Sequence, residues 1–445
     1  MSAFACDTCG YEAAKWFGRC PDCGAWSSAV TPQEGSEGTL EVVTLGAAGP
    51  TPDRIATGIA ELDRVLGGGI VAASVTLMAG EPGIGKSTLA LQALTCIAGS
   101  GRSCLLVTGE ESLAQVATRA TRLQLDASSL KVASSTSLQS VIRTLERDEV
   151  EVVVIDSIQT LQDSATPSSP GSPAQVRIVA SHLVEVAKRT GVAIVLIGHV
   201  TKDGAVAGPK TLEHVVDAVI TLEGERSGTL RLLRAAKNRF GPCDETGVFT
   251  MTGLGLEPVL DPSAMFLEDR HPDVAGSVVF PTLDGTRTLL VEVQALTVAS
   301  ELPQPRRVAI GLDARRVALV GGVLQQSKKK SAAGRDLFVA VAGGMEVKEP
   351  AVDLAVALSC WSSASDRSID PGLVVLGEIG LGGEIRRVQG VGRRLAEAAR
   401  MGFTRALVPR GNHEQRNDIE VIPLAHLSDA LDLSFLRSSL HVARG

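Results

Sequence analysis

The sequence predicts an α/β protein built on a mostly parallel sheet, with a small cysteine-based element in front of that sheet and a second α/β domain behind it. Three observations predict this. The loop Gly80-Glu81-Pro82-Gly83-Ile84-Gly85-Lys86-Ser87-Thr88 lies between the apolar run 75–78 and an amphipathic segment bearing Leu89, Ala93 and Ile97, a strand-loop-helix arrangement. Short apolar runs then alternate with helix-period segments as far as residue 197, which is the pattern of parallel strands joined by crossover helices. Finally, four of the eight cysteines fall within the first 23 residues as Cys6-x2-Cys9 and Cys20-x2-Cys23, whereas Cys96, Cys104, Cys243 and Cys360 are scattered.

The two cysteine pairs, residues 1–28, are separated by ten residues and each is followed by a glycine, Gly10 or Gly24, that permits a tight knuckle. Four thiolates at this spacing can close a tetrahedron around Zn²⁺; ligand softness alone also admits iron in a rubredoxin-type site. A site closed by four protein ligands has no open position, which suits recognition better than catalysis. Trp16 and Trp26 are expected to cover this element, which has no core of its own. The scattered cysteines read as small apolar residues, so a metal site in a reducing compartment fits better than a disulfide framework. No basic segment followed by an apolar core opens the chain and no later run reaches membrane-span length, so a cytoplasmic location with no membrane contact is expected. Residues 29–52, rich in Gly, Pro, Ser, Thr and Glu, read as a linker.

An ATPase domain is expected over 53–262. Leu62-Asp63-Arg64-Val65-Leu66 leads through Gly67-Gly68-Gly69 into the strand before the glycine-rich loop. In that loop, Gly80, Gly83 and Gly85 let backbone amides turn in around an oxyanion, the new helix points its positive end there, Lys86 supplies a mobile cation, and Ser87 offers a hydroxyl to Mg²⁺. Residues 80–88 are therefore the predicted ATP-phosphate cradle. Further strands are expected at 104–108, 130–133, 152–155 and 192–197, with a helix over 175–189 whose Val176, Val179, Leu183 and Val186 share one face. Asp156, closing the run Val152-Val153-Val154-Ile155, is placed to hold the Mg²⁺ water shell, and Glu110, closing the neighbouring strand, to polarise the attacking water. Glu111 has the simpler reading of an acid at a helix N-terminus. The loops 163–174 and 202–210 leave adjacent strand ends beside the nucleotide and are long enough to be functional. Lys202, Lys210 and Arg177 are candidate phosphate contacts, and the absence of aromatic residues there argues against base stacking. With a net charge of −7, any DNA contact must come from such local patches.

Residues 263–445 read as a separate α/β domain, with strands at 338–342, 374–376 and 406–408 and helices through 351–358 and 393–401. Lys328, Lys329 and Lys330 most simply form a solvated helix end, with DNA contact the minority reading.

These residues together resemble the bacterial RadA (Sms) family of RecA-like DNA repair ATPases, over almost the whole chain. The match rests on the four-cysteine element, residues 62–69, the phosphate loop, Thr108-Gly109-Glu110-Glu111-Ser112, Val154-Ile155-Asp156-Ser157, the segment from Gly198-His199 to Glu213-His214, and above all Lys237-Asn238-Arg239-Phe240-Gly241. The resemblance implies that Glu110 is the general base, that His199 senses the γ-phosphate, and that Lys237 and Arg239 supply charge across a subunit boundary. It further implies a homo-hexameric ring whose loops contact single-stranded and branched DNA, activity in branch migration during homologous recombination, and the recombinase RecA and a replicative helicase as partners. Gly377-Glu378-Ile379-Gly380-Leu381-Gly382-Gly383 and Leu407-Val408-Pro409 resemble the proteolytic domain of Lon, but Ala351 stands at the position of Lon's serine and Gly392 at that of its lysine. Without a serine activated by a lysine there is no nucleophile, and arginine cannot act as the base. Proteolytic inactivity is therefore expected. An ATP-dependent protease and a DNA-binding scaffold with slow turnover are the alternative functions.

Overall fold

The computed structural model describes residues 53–431 apart from 167, 200–211, 225–227, 302–303, 327–333 and 413, together with 4–6, 12–13, 15–21, 24, 26 and 29–30 near the N-terminus. The stretches Met1–Thr51 and Pro52–Gly445 form two compact units. The expected linker beyond residue 30, Cys9, Cys23, Lys202, Lys210 and the run 328–330 lie outside the described residues.

In the first unit Phe4–Cys6 pairs antiparallel with Glu12–Ala13 and with Ala29–Val30. Cys6 ends the first of these strands, Cys20 is buried, and Gly24 N–H closes a knuckle on the Cys20 carbonyl at 3.0 Å. Trp16 and Trp26 do not cover the element as expected: they are 63% and 74% exposed. Trp26 instead lies under the Arg19 guanidinium, 5.7 Å from the ring centre.

The second unit opens on a short antiparallel pair, Arg54–Ile55 with Ile70–Val71, that brackets helix α1 (Ala60–Leu66). A nine-stranded sheet follows. Its strands are β1 (Val75–Gly80), β2 (Cys104–Thr108), β3 (Lys131–Ser134), β4 (Val152–Asp156), β5 (Ala193–His199), β6 (Ala218–Glu223), β7 (Leu230–Asn238), β8 (Thr246–Thr252) and β9 (Gly255–Pro258). The spatial order is β9-β8-β7-β6-β1-β5-β4-β2-β3. From β3 to β6 every neighbouring pair is parallel, as the alternating sequence pattern requires, and β7, β8 and β9 extend the sheet antiparallel. The central strands are buried on both faces, between α2 (Lys86–Gly99) with α3 (Leu113–Arg122) on one side and α4 (Leu138–Arg147) with α5 (Pro173–Thr190) on the other. Ser172 caps α5 on the Gln175 amide, and Val176, Val179 and Leu183 are fully buried, the face that the helical spacing predicts.

A mixed seven-stranded sheet begins at β10 (Ser277–Asp284) and continues through β11 (Arg287–Ala299), β12 (Arg307–Ile310), β13 (Arg335–Val341), β14 (Leu373–Val375), β15 (Arg405–Pro409) and β16 (Glu420–Leu424). Helices α6 (Ala314–Gln326), α7 (Asp353–Ser365) and α8 (Val391–Arg400) accompany it. The turn between β10 and β11 plugs into the first sheet. Arg234 on β7 holds both Asp284 oxygens at 3.0 and 2.6 Å, Thr286 N–H donates to the Asp244 carbonyl at 2.6 Å, and Arg287 pairs with the buried Glu61 of α1. Gly285 is required at this turn, since its φ is +64° and a Cβ would fall 1.8 Å from the Asp244 carbonyl oxygen. Leu232 and Val248 of the first sheet are buried in the same hydrophobic cluster as the second.

Candidate active site

The loop after β1 owes its shape to what crowds it. A Cβ on Gly80 would lie 2.6 Å from the Leu222 carbonyl oxygen, and one on Gly85 would lie 2.7 Å from Met251 and 2.8 Å from Leu256. All three glycines of the loop have positive φ, at 157°, 79° and 117° for Gly80, Gly83 and Gly85. At Gly80 and Gly85 only glycine combines that backbone with that proximity, and the loop ends where α2 begins, at Lys86.

Lys86 is 3% exposed and its ammonium donates to the carbonyls of Gly80 (2.8 Å) and Glu81 (2.9 Å). It also reaches His199 Nδ1 at 3.2 Å. Because an ammonium only donates, Nδ1 is the acceptor; the imidazole proton then sits on Nε2, which faces Glu110 Oε1 at 3.2 Å. Glu110 Oε1 also accepts from the Ser157 hydroxyl at 2.5 Å. Asp156, at the end of β4, is buried and hydrogen-bonded by Ser87. Burial pushes its carboxyl above the usual range, with Glu110 adding to the effect and the Ser87 bond opposing it. The predicted residues Lys86, Ser87, Glu110 and His199 thus line one cavity of 620 Å³ together with Pro82, Gly83 and Thr88, and Asp156 lies behind it on the Ser87 hydroxyl. Glu111 is not among the cavity's lining residues and pairs instead with Arg119. The Glu110 backbone turn depends on Gly109, whose Cβ would fall 2.0 Å from the Thr160 hydroxyl.

Lys237 and Arg239 are not part of this cluster. Strand register places Asn238 opposite Ala218, which pairs with Thr76, while the loop begins beside Leu222 at Gly80. The two cations are therefore toward the opposite end of the strands from the loop of their own chain, about 10 Å along for Lys237 and about 16 Å for Arg239. Lys237 donates to the carbonyls of Glu213 and Val216, and burial holds its ammonium below the usual value. Arg239 is half exposed and held by Asp217 at 3.1 Å, whose other oxygen accepts from Val75 N–H.

Sequence reasoning missed part of the pocket. Arg119, Arg122 and Leu123 of α3 and Met251, Thr252, Gly253 and Gly255 of the β8–β9 hairpin complete its wall. The hairpin reaches the loop only through the antiparallel end of the sheet, so no local pattern near residue 80 announces it.

In the second sheet's domain, Ala351 is 3% exposed on the turn Pro350–Val352 and borders a cleft of 460 Å³ with Glu378, Arg387, Arg393 and Arg394. Arg394, only 1% exposed, is clamped by both oxygens of Glu349, at 2.9 Å for one, and donates to the carbonyls of Gln389 and Pro281. Glu349 also accepts from Thr282 Oγ1 and Leu283 N–H, each at 2.8 Å. The Arg394–Glu349 ion pair thus lines the same cleft as Ala351.

Family models match three segments: an AAA domain over residues 47–205, a rubredoxin metal binding domain over 4–30, and subunit ChlI of Mg-chelatase over 322–412. Proteins named DNA repair protein RadA are 47% identical in Pseudomonas aeruginosa over 97% of this chain and 98% of the relative, and 44% identical in Halalkalibacterium halodurans over 98% of each. The relative from Escherichia coli is 44% identical over 97% of this chain and 98% of its own. The chain belongs to the RadA family. The three-part organisation of the fold follows the RadA pattern: a zinc-ribbon element, an AAA-type P-loop ATPase domain and a C-terminal domain of ChlI and Lon type. RadA membership, together with the AAA domain, makes the chain a DNA repair protein with an ATPase domain.

Burial holds Lys86 down at about 8, against the upward pull of Asp156 and Glu110. Bound phosphates raise that value, so binding above about pH 8 must take up a proton, whereas below it the ammonium is already charged. ATP affinity is expected to be flat below that pH and to fall by up to about tenfold per unit above it. A fluorescent-nucleotide titration from neutral to alkaline pH checks this. Undiminished affinity throughout the alkaline range would mean that Lys86 stays charged in the empty pocket.

Proposed function

We propose that this RadA-family chain is a DNA-dependent ATPase that processes branched intermediates of homologous recombination and drives branch migration, acting in the cytoplasm as a homo-hexameric ring. The observation that carries the reading is the separation of the two halves of the machinery. Lys86, Glu110 and His199 surround the phosphate loop, whereas Lys237 and Arg239 lie toward the opposite end of the strands, where they serve a neighbour's nucleotide rather than their own. Glu110, oriented by the Ser157 hydroxyl and the imidazole N–H of His199, holds the attacking water in line with the γ-phosphate. Lys86 exchanges the Gly80 and Glu81 carbonyls for phosphate oxygens, which frees His199 Nδ1. His199 is the last residue before the segment 200–211, so phosphate occupancy is felt at the root of the DNA-contacting loop. The Ser87 hydroxyl and Asp156 carboxylate are a hard oxygen pair of the kind Mg²⁺ takes, and the ion, when bound, would neutralise charge on the phosphates. The reading divides the chain into a metal-binding finger over 1–28, a linker over 29–52, the ATPase domain over 53–262 and an inactive Lon-like domain over 263–445. Single-stranded and branched DNA are the proposed substrates, with the recombinase RecA and a replicative helicase as partners. Among the described residues no helix is long and apolar enough to cross a membrane.

The test is ATP turnover with and without single-stranded and forked DNA, coupled to a branch-migration assay on the same preparation. Stimulation by DNA with directional motion supports the motor. Stable DNA binding with neither selects the scaffold, and ATP-dependent cleavage of an unfolded protein selects the protease.

Cys6, Cys9, Cys20 and Cys23 are the proposed Zn²⁺ ligands. One Zn²⁺ per chain is expected, released by Cys9→Ser or Cys20→Ser with residues 52–445 still folded, because the two compact units have separate interiors. Elemental analysis with circular dichroism checks it; iron in a metal-replete preparation would replace zinc with the rubredoxin chemistry.

A further inference from the structure

Arg231 is the second residue of β7, two strands from β1 in the first sheet, and is 4% exposed. A guanidinium is expensive to bury unless hydrogen bonds repay its lost hydration, and a branched apolar residue would suit a strand interior better. Donors of Arg231 reach both the β6–β7 turn and the phosphate loop. Nη1 donates to the carbonyls of Gly228 at 2.7 Å and Leu230 at 2.8 Å, in the turn between β6 and β7. Nε donates to the carbonyl of Ile84 at 3.1 Å. The side chain therefore passes over the end of β6 and ties the phosphate loop to a strand two positions away in the sheet. Gly224 clears the path, since a Cβ there would lie 3.0 Å from Arg231 Cδ.

The choice of acceptor matters. A loop that turns its amides toward an anion turns the intervening carbonyls away, and a buried carbonyl must find a donor elsewhere. In a trans peptide the C=O and the following N–H point in opposite directions. Fixing the Ile84 carbonyl on Arg231 therefore aims the Gly85 N–H the other way, into the cradle that Lys86 and Ser87 border. Gly85 has φ of +117°, and with no side chain to restrict its backbone it relies on its neighbours to hold one orientation. Ile84 is itself buried, so no water replaces the guanidinium there.

We infer that Arg231 is a positioning residue of the phosphate loop, which by anchoring the Ile84 carbonyl orients the Gly85 amide toward the nucleotide's phosphates. It touches no substrate and acts through the Ile84–Gly85 peptide. The inference rests on the reading of this cavity as an ATP site. It predicts an effect on ground-state phosphate binding, because a cradle amide contacts phosphate before and during transfer alike.

The experiment compares full-length wild type, Lys86→Ala, Arg231→Gln and Arg231→Lys by nucleotide titration, steady-state kinetics and thermal melting with and without ATP. Arg231→Gln is expected to raise KM and the dissociation constant for ATP by about tenfold or more, the worth of a charged hydrogen bond, with kcat changed by less than about threefold. Arg231→Lys retains a donor on a long side chain and should recover part of the affinity, a rescue that a packing defect would not show. Nucleotide-free melting of Arg231→Lys near that of wild type, with a smaller upward shift on adding ATP, completes the expected result. Wild-type affinity in both Arg231 variants overturns the inference while leaving the ATP site standing. So does a fall in kcat and melting temperature with KM unmoved. Wild type that binds no ATP, or Lys86→Ala that binds it as well as wild type, overturns the reading of the cavity and the inference with it.

Discussion

Lys86→Ala is expected to abolish ATP turnover, and Glu110→Gln to leave nucleotide bound but hydrolysis slowed about a thousandfold. The two losses have different origins. Lys86 is the buried cation of the cradle, and its removal leaves phosphate charge uncompensated in a site where Asp156 and Glu110 already supply two carboxylates. Glu110 only orients the water, so its amide retains the pocket and removes the base, an effect typically of 10² to about 10⁴. Phosphate release with parallel nucleotide binding checks both. Glu111 is the internal control: it is paired with Arg119, away from Ser157 and His199, so Glu111→Gln should hydrolyse near the wild-type rate. Normal hydrolysis by Glu110→Gln together with loss in Glu111→Gln would move the base by one residue.

Arg239→Ala should lower turnover by about 10³-fold, the range seen for arginine fingers, without weakening nucleotide binding. Its guanidinium is half exposed and pinned by Asp217, which Val75 N–H also holds, so it is presented outward at a fixed place on the rim of the sheet. From there it cannot reach its own loop. Specific activity should then rise with protein concentration as subunits assemble. A preparation shown to be monomeric that hydrolyses ATP at the assembled rate would sink the role in trans.

Much of this was legible in the sequence because it is local. The phosphate loop, Asp156 and Glu110 each follow an apolar run, and strand ends in a parallel sheet converge on one edge, so their meeting could be expected without coordinates. Strand β2 has the bounds that the spacing predicts, and α5 buries the predicted face. The antiparallel extension was not legible. In β7 the apolar run is interrupted by Arg231 and Arg234, whose partners, the Ile84 carbonyl and Asp284, are distant in the chain. The hairpin wall at Met251 and Gly255 was hidden for a related reason: its partner Gly85 is more than a hundred residues away in the chain. The expected cover of Trp16 and Trp26 failed because an indole needs an interior to enter. A separate α/β domain from residue 263 was expected; that Leu232 and Val248 of the first sheet join the second sheet's cluster is a contact that only tertiary structure creates.

The placement of β1 has a consequence for synthesis. Its neighbours are β5 and β6, which end at His199 and Glu223, so both edges of an entirely buried strand stay open while more than a hundred further residues are made. At ordinary translation rates that interval lasts about ten seconds, during which an apolar, unpaired strand is exposed to other chains. ATP cannot shorten it, because Gly80 reaches its final conformation only against the Leu222 carbonyl and the loop only against the still later Leu256. On the ribosome the nucleotide pocket therefore closes only after the β8–β9 hairpin has been made, the last part of the first sheet to emerge.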